Sequence, residues 1–169
     1  MIYLAHGASG TAESMRPHVA GLLARGLEAQ AVGLPIGKAE KAIDAYRSQV
    51  EDLPSAIIGG HSYGGRVASL LAAQESPRAL ILFGYPLHRP GKPEWAARTE
   101  HWTMITCPVL FLSGERDFFT RIDLLREAIS KRLPTAQLIT YPKVAHSIVP
   151  VLDDALDQVA RFVRALESN

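Results

Sequence analysis

Cysteine is nearly absent: the 169 residues include one, Cys107. A single thiol closes no internal disulfide, so the fold must stand on burial and hydrogen bonding, and this usage fits a cytoplasmic protein. Charge of one sign is also missing. Eighteen Lys and Arg stand against seventeen Asp and Glu, for a formal net charge of +1. Without a one-sided field, neither nucleic acid nor an anionic membrane surface is an expected partner. No apolar run approaches the ~20 residues that span a bilayer. The opening MIYLAHGASG has no basic segment and no long apolar core, so it does not read as a secretory signal. No spacing of His, Cys, Asp and Glu suggests a metal site, and neither a Walker motif nor a G-x-G-x-x-G fingerprint occurs. No cofactor is therefore expected. Internal repeats, low-complexity segments and linkers are missing too.

What remains has the composition of a folded globular chain, with 47% hydrophobic and 21% charged residues. Its length suits one domain over residues 1–169. Short apolar runs alternate with amphipathic ones. Strands are expected over 2–5, 28–32, 55–59, 79–83, 109–112 and 136–141. Helices are expected over 11–25, 38–53, 65–74, 121–133 and 151–166. Uninterrupted apolar strands separated by helices predict a three-layer α/β/α sandwich around a mainly parallel sheet of about six strands. Ligand chemistry in such a sheet sits at the C-terminal ends of the strands. The irregular stretch 84–106 is long enough to be functional or to hold a short helix.

Gly60-His61-Ser62-Tyr63-Gly64 matches G-x-S-x-G. A buried strand runs into it and an Ala/Leu-rich helix leaves it, which is the setting of a nucleophile elbow. The plainer alternative is a strand-to-helix turn whose serine caps the helix. A serine hydroxyl needs a base within hydrogen-bond reach, and six histidines compete. His61 leaves the turn in another direction than Ser62. His6 follows the first strand, His18 lies on a helix, and His88 and His101 lie in the long irregular stretch. His146 follows the last strand, where its loop faces the elbow, and is the candidate base; otherwise it is a surface loop histidine.

A third group must fix the base's tautomer. Asp117 follows the 109–112 strand, two strands beyond the elbow strand, and is preferred to Glu115, which sits too near the strand end. The competing role for Asp117 is a cap for the helix starting near Thr120. The order Ser62, Asp117, His146 is that of the α/β-hydrolases. Two backbone donors are needed for an oxyanion, and the N–H groups of Tyr63 and Ala8 are the candidates. His6-Gly7 is otherwise a plain turn. Tyr85, Trp95 and Trp102 are candidates for an acyl pocket, although aromatics in a loop more often pin it down. Cys107 reads as buried and inert, and Lys38 and Lys41 as a solvated helix face.

These residues resemble the α/β-hydrolase superfamily. The elbow through Arg66, the opening His6-Gly7-Ala8 and the run Gly114-Glu115-Arg116-Asp117 are similar to a compact, lidless branch of small serine hydrolases near the dienelactone hydrolases. The resemblance implies a minimal form of the fold, lacking its first two strands. Dienelactone hydrolases carry cysteine at the nucleophile position, so Ser62 argues against that activity. The stretch 84–106 is too short for the multi-helix lid of the lipases, which implies a shallow site for small acyl substrates. The expectation is a serine hydrolase cleaving small esters or thioesters through an acyl-enzyme, as a monomer or homodimer. The alternative is a non-catalytic interaction or ligand-binding module on the same fold.

Overall fold

The computed structural model describes residues 1–167. Six strands form one sheet: β1 (Ile2–Ala5), β2 (Ala29–Val32), β3 (Ile57–His61), β4 (Ala79–Phe83), β5 (Val109–Gly114) and β6 (Gln137–Tyr141). Their order is β2-β1-β3-β4-β5-β6. Every neighbouring pair is parallel, so the sheet is wholly rather than mainly parallel. Six α-helices connect and cover it: α1 (Arg16–Leu23), α2 (Ile43–Arg47), α3 (Tyr63–Gln74), α4 (Ala96–Thr99), α5 (Ile122–Arg132) and α6 (Leu152–Glu167). No helix among the described residues is long and apolar enough to cross a membrane.

The alternation of side chains along a strand splits the core in two. Tyr3, Ile58, Leu80, Leu82 and Phe111 point to one face, where they meet Tyr46 of α2, Val67 and Leu71 of α3, and Leu125 of α5. Ile2, Leu4, Ile57, Ile81, Phe83 and Leu112 point to the other, against Leu22 of α1 and Leu156, Val159 and Val163 of α6. Strands buried on both faces must be apolar at every position, which is why Ala79-Leu80-Ile81-Leu82-Phe83 carries no polar residue. The expected edge strand is β6, and its Gln137 is exposed.

Two expected helices are shorter than their hydrophobic spacing implies. The span 11–25 opens as a 3₁₀ turn (Ala12–Met15), and α1 begins beside Pro17. Proline lacks the N–H that a continuing helix would use, so it suits a first turn. The span 38–53 breaks into a 3₁₀ turn (Ala39–Lys41) and the five residues of α2. Tertiary bonds take precedence there. The Tyr46 hydroxyl donates toward the carbonyls of Tyr3 and Gly59 and accepts from Gly59 N–H at 2.9 Å, riveting α2 to the sheet. The Gln49 side chain accepts from Gly33 N–H and donates to Gly33 O, tying the chain to the end of β2.

The stretch 84–106 does contain a short helix, α4, followed by a 3₁₀ segment (Glu100–Met104). Its aromatics hold it down. Tyr85 and Trp102 are fully buried, with ring centroids 5.1 Å apart, and Trp102 lies 5.1 Å from Phe111 of β5. Trp95 packs under Lys131 and Arg132 of α5. The acyl-pocket candidacy of these three residues fails, because none lines the clefts beside Ser62.

Candidate active site

Ser62 joins β3 to α3 with φ 51° and ψ −113°. A side-chain-bearing residue in that region is strained and persists only where its surroundings hold it. The surroundings here are backbone. Ser62 N–H donates to Phe83 O at 2.9 Å, and Ser62 O accepts from Arg66 N–H. A Cβ on Gly60 would lie 2.3 Å from Ala5 O, and one on Gly64 would lie 2.4 Å from the same oxygen. The turn therefore sits directly against the end of β1, and only glycine fits two residues before and two residues after the serine. Ser62 makes no side-chain cap to α3. Its hydroxyl faces His146 instead.

The Ser62 hydroxyl lies 2.7 Å from His146 Nε2, and His146 Nδ1 lies 2.7 Å from Asp117 Oδ2. With Nδ1–H donating to the carboxylate, Nε2 carries the free lone pair that accepts the serine proton. The other Asp117 oxygen, Oδ1, accepts Phe119 N–H at 2.8 Å. The Asp117 side chain is wholly buried and that of His146 is 20% exposed. The loops carrying these residues are bound to each other: Arg116 N–H donates to Val144 O at 2.9 Å. A Cβ on Gly114 would meet Ala145 O at 2.2 Å, so the two loops close without a gap.

The other histidines are accounted for. His6 accepts Leu34 N–H at Nε2 and donates to Gly7 O. His88 accepts Arg121 N–H and donates to Arg89 O. His101 pairs with the Ser69 hydroxyl at 2.8 Å, and burial followed by the Arg66 charge pushes its pKa down to about 4. His61 donates from Nε2 to His146 O at 3.1 Å, and its ring lies 5.0 Å from that of His146. Burial lowers the His61 pKa, so the ring braces the His146 loop as a neutral group. His18 is buried against Phe83 on the far wall of the site, and burial, with the nearby His61, brings its pKa to about 4. Glu115 accepts the Thr140 hydroxyl and takes no part in the Asp117–His146–Ser62 line.

Ser62, Ala8 and Phe119 border two clefts. One, of about 510 Å³, is walled by Met15, His18, Ile148 and Val149. The other, of about 1020 Å³, runs past Tyr63, Arg66 and Arg98. Among the described residues neither Ala8 N–H nor Tyr63 N–H is committed to another backbone group. Tyr63 opens α3, where helix N–H groups have no partner of their own. The sequence did not single out the roles of His61, Phe119 and Arg66. His61 and Arg66 lie within or one turn beyond the G-x-S-x-G motif, which was the only signal available for them.

The model of the alpha/beta hydrolase domain family matches residues 29–167. The chain belongs to that family. On that membership it is a hydrolase. Solved structures share its architecture at low identity. A monoacylglycerol lipase from Paleococcus ferrophilus superposes with a TM-score of 0.82 at 14% identity, covering 98% of this chain and 94% of its own. The esterase Pf2001 of Pyrococcus furiosus gives 0.81 at 17%, covering 98% and 81%. Est1E from Butyrivibrio proteoclasticus, with ferulic acid bound, gives 0.78 at 19%, covering 99% and 89%. At these identities the likeness speaks for the fold, and the hydrolase's chemistry must be argued from its own residues.

Proposed function

We propose that this hydrolase transfers acyl groups to water, with Ser62 as nucleophile, His146 as general base and acid, and Asp117 as the group that orients His146. The observation that carries the reading is the placement of the Ser62 hydroxyl 2.7 Å from His146 Nε2, on a backbone strained toward the clefts. The substrate is a small ester or thioester. As Ser62 Oγ bonds to the carbonyl carbon, its proton passes to His146 Nε2. Asp117 stabilises the imidazolium without taking its proton. The oxyanion is received by the N–H groups of Ala8 and Tyr63, and losing such a donor typically costs about 3 kcal/mol of transition-state stabilisation. His146 protonates the departing alkoxide or thiolate. It then takes a proton from water as the water oxygen attacks the acyl-enzyme carbonyl, and returns that proton to Ser62 Oγ as the Oγ–acyl bond breaks and the acid leaves.

The test pairs covalent labelling by a fluorophosphonate probe with turnover of p-nitrophenyl acetate and butyrate. Wild type is expected to label and to turn over both esters. Ser62→Ala is expected to lose labelling entirely and roughly 10⁵–10⁶ of kcat. Folded wild-type protein that neither labels nor hydrolyses either ester would refute acyl transfer at Ser62.

A further inference from the structure

The two clefts that meet at Ser62 differ in charge. The smaller one is lined by no Lys, Arg, Asp or Glu, and its buried histidine, His18, is neutral near pH 7. The larger is lined by six cations, Lys38, Lys41, Arg66, Arg89, Lys92 and Arg98, and by two acids, Glu40 and Glu94. This excess belongs to a chain whose formal net charge is only +1. It is gathered on the loop after β2, on the first turn of α3 and on the stretch 84–106.

Arg66 and Arg98 are not ordinary surface cations. Arg66 lies one helical turn beyond Ser62, a rise of about 6 Å along the axis, and its side chain is only 15% exposed. One arm of its guanidinium holds the more exposed Glu40 at 2.7 Å, and the other donates to Arg98 O at 3.2 Å. The Arg98 guanidinium is partly buried, donates to Pro86 O at 2.9 Å and makes no ion pair among the described residues. Burial first, and then the neighbouring Arg66 charge, depress its pKa; Arg89 acts in the same sense, and Tyr85 and Glu40 offset them only in part. Partly desolvated guanidinium groups that repel one another are stabilised by an arriving anion, which they bind through paired, charge-assisted hydrogen bonds.

We propose that the larger cleft selects esters or thioesters bearing an anionic group, a carboxylate or a phosphate, and that Arg66 and Arg98 receive it. The uncharged end of the substrate then occupies the smaller cleft. The inference rests on the acyl-transfer reading of Ser62 and deepens it.

Matched substrates test it. Mono-p-nitrophenyl glutarate against p-nitrophenyl butyrate places a carboxylate on the acyl side. 4-Butyryloxybenzoate against phenyl butyrate places one on the leaving-group side. Butyryl-coenzyme A against butyryl-N-acetylcysteamine presents phosphates. Wild type is expected to favour the anionic member of at least one pair in kcat/KM by roughly tenfold or more, the yield of one charge-assisted contact. The preference is expected to shrink as salt rises from 0.05 to 0.5 M, each of these ionic strengths being an assay choice. In Arg66→Gln and in Arg98→Gln the anion-to-neutral ratio is expected to fall to about threefold or less. Arg89→Glu, at an exposed position, is expected to lower the same ratio and supplies the reading should the buried variants fail to fold. Equal kcat/KM within every pair overturns the inference while leaving acyl transfer standing. A preference that survives in every variant that folds overturns it as well. Absence of both labelling and turnover removes the acyl-transfer reading, and this inference with it.

Discussion

Asp117 uses its two oxygens for two different neighbours, and that division dictates what a conservative substitution does. Oδ1 accepts Phe119 N–H and Oδ2 accepts His146 Nδ1–H. In Asp117→Asn the amide oxygen must stay on the Phe119 side, because the alternative sets a donor against a donor. The amide NH₂ then faces His146 and favours the tautomer with its proton on Nε2, where it cannot accept from Ser62. The expected outcome is a loss of about 10⁴ in kcat with an almost unchanged melting temperature. Asp117→Ala is expected to lose activity and also to melt earlier, since it removes the acceptor of the half-buried Phe119 N–H. Turnover and thermal melts on both variants check this. Equal activity in Asp117→Asn and wild type would deny Asp117 its orienting role. The candidates Ser62, Asp117 and His146 were legible because each lies just past the C-terminal end of a strand, and a parallel sheet delivers such positions to one edge. His61, Phe119 and Arg66 were not, because their significance lies in where a side chain turns after leaving the backbone. Nothing in residue spacing reports that.

At the scale of the element, the join between β3 and α3 depends on backbone against backbone. A Cβ at Gly64 would press on Ala5 O, which is part of the sheet and cannot swing aside as a side chain can. Gly64→Ala is therefore expected to destabilise by about 3 kcal/mol or more, the range of severe overpacking and strain. Gly33→Ala provides the contrast. It has no positive φ, and the nearest atom to its Cβ would be Ala12 Cβ at 3.9 Å. Since alanine narrows the unfolded ensemble, Gly33→Ala is expected to be neutral or stabilising by up to about 1 kcal/mol. Urea denaturation of the two variants decides the matter, and a well-folded Gly64→Ala would mean that β1 can retreat from the elbow. The same scale shows what pattern could and could not predict. Strands were legible because burial on both faces forces uninterrupted apolar runs. The break in 38–53 was not, because Ile43, Tyr46 and Val50 keep helical spacing while the Tyr46 hydroxyl and the Gln49 amide answer to distant strands.

Across the whole molecule, the buried imidazoles tie stability to pH. His18 and His101 have pKa values lowered to about 4, and His61 is lowered in the same direction, chiefly by burial in each case. In the unfolded chain such groups titrate near the ordinary value of about 6.5. Below that value the unfolded chain binds protons that the folded chain refuses. For His18 and His101 the stability contributed by keeping the ring neutral is complete above about pH 6.5 and is lost progressively as the pH falls toward about 4, and His61 acts in the same sense. Each ring adds a slope approaching about 1.4 kcal/mol per pH unit in that window. Paired carboxylates such as Glu40 and Asp123, whose pKa values are lowered by their arginine partners, titrate further down. The interval from about pH 6.5 to 5 therefore isolates the histidines. Urea midpoints taken across it are expected to fall steadily for wild type. His18→Leu fills the same apolar wall beside Phe83 without a titrating group, and its slope is expected to be shallower by one ring's share. The Nδ1 of His18 is buried without a partner, so leucine forfeits no hydrogen bond at that atom. A wild-type curve that stays flat over this interval would show that the rings accept protons in the folded state. An identical slope in His18→Leu would assign the acid loss to His61 and His101 alone. The neutrality of the smaller cleft at working pH and the fragility of the fold in acid thus have one origin. The wall that keeps charge away from one side of Ser62 is held by an imidazole whose burial resists protonation, so acid draws on the stability of the fold there.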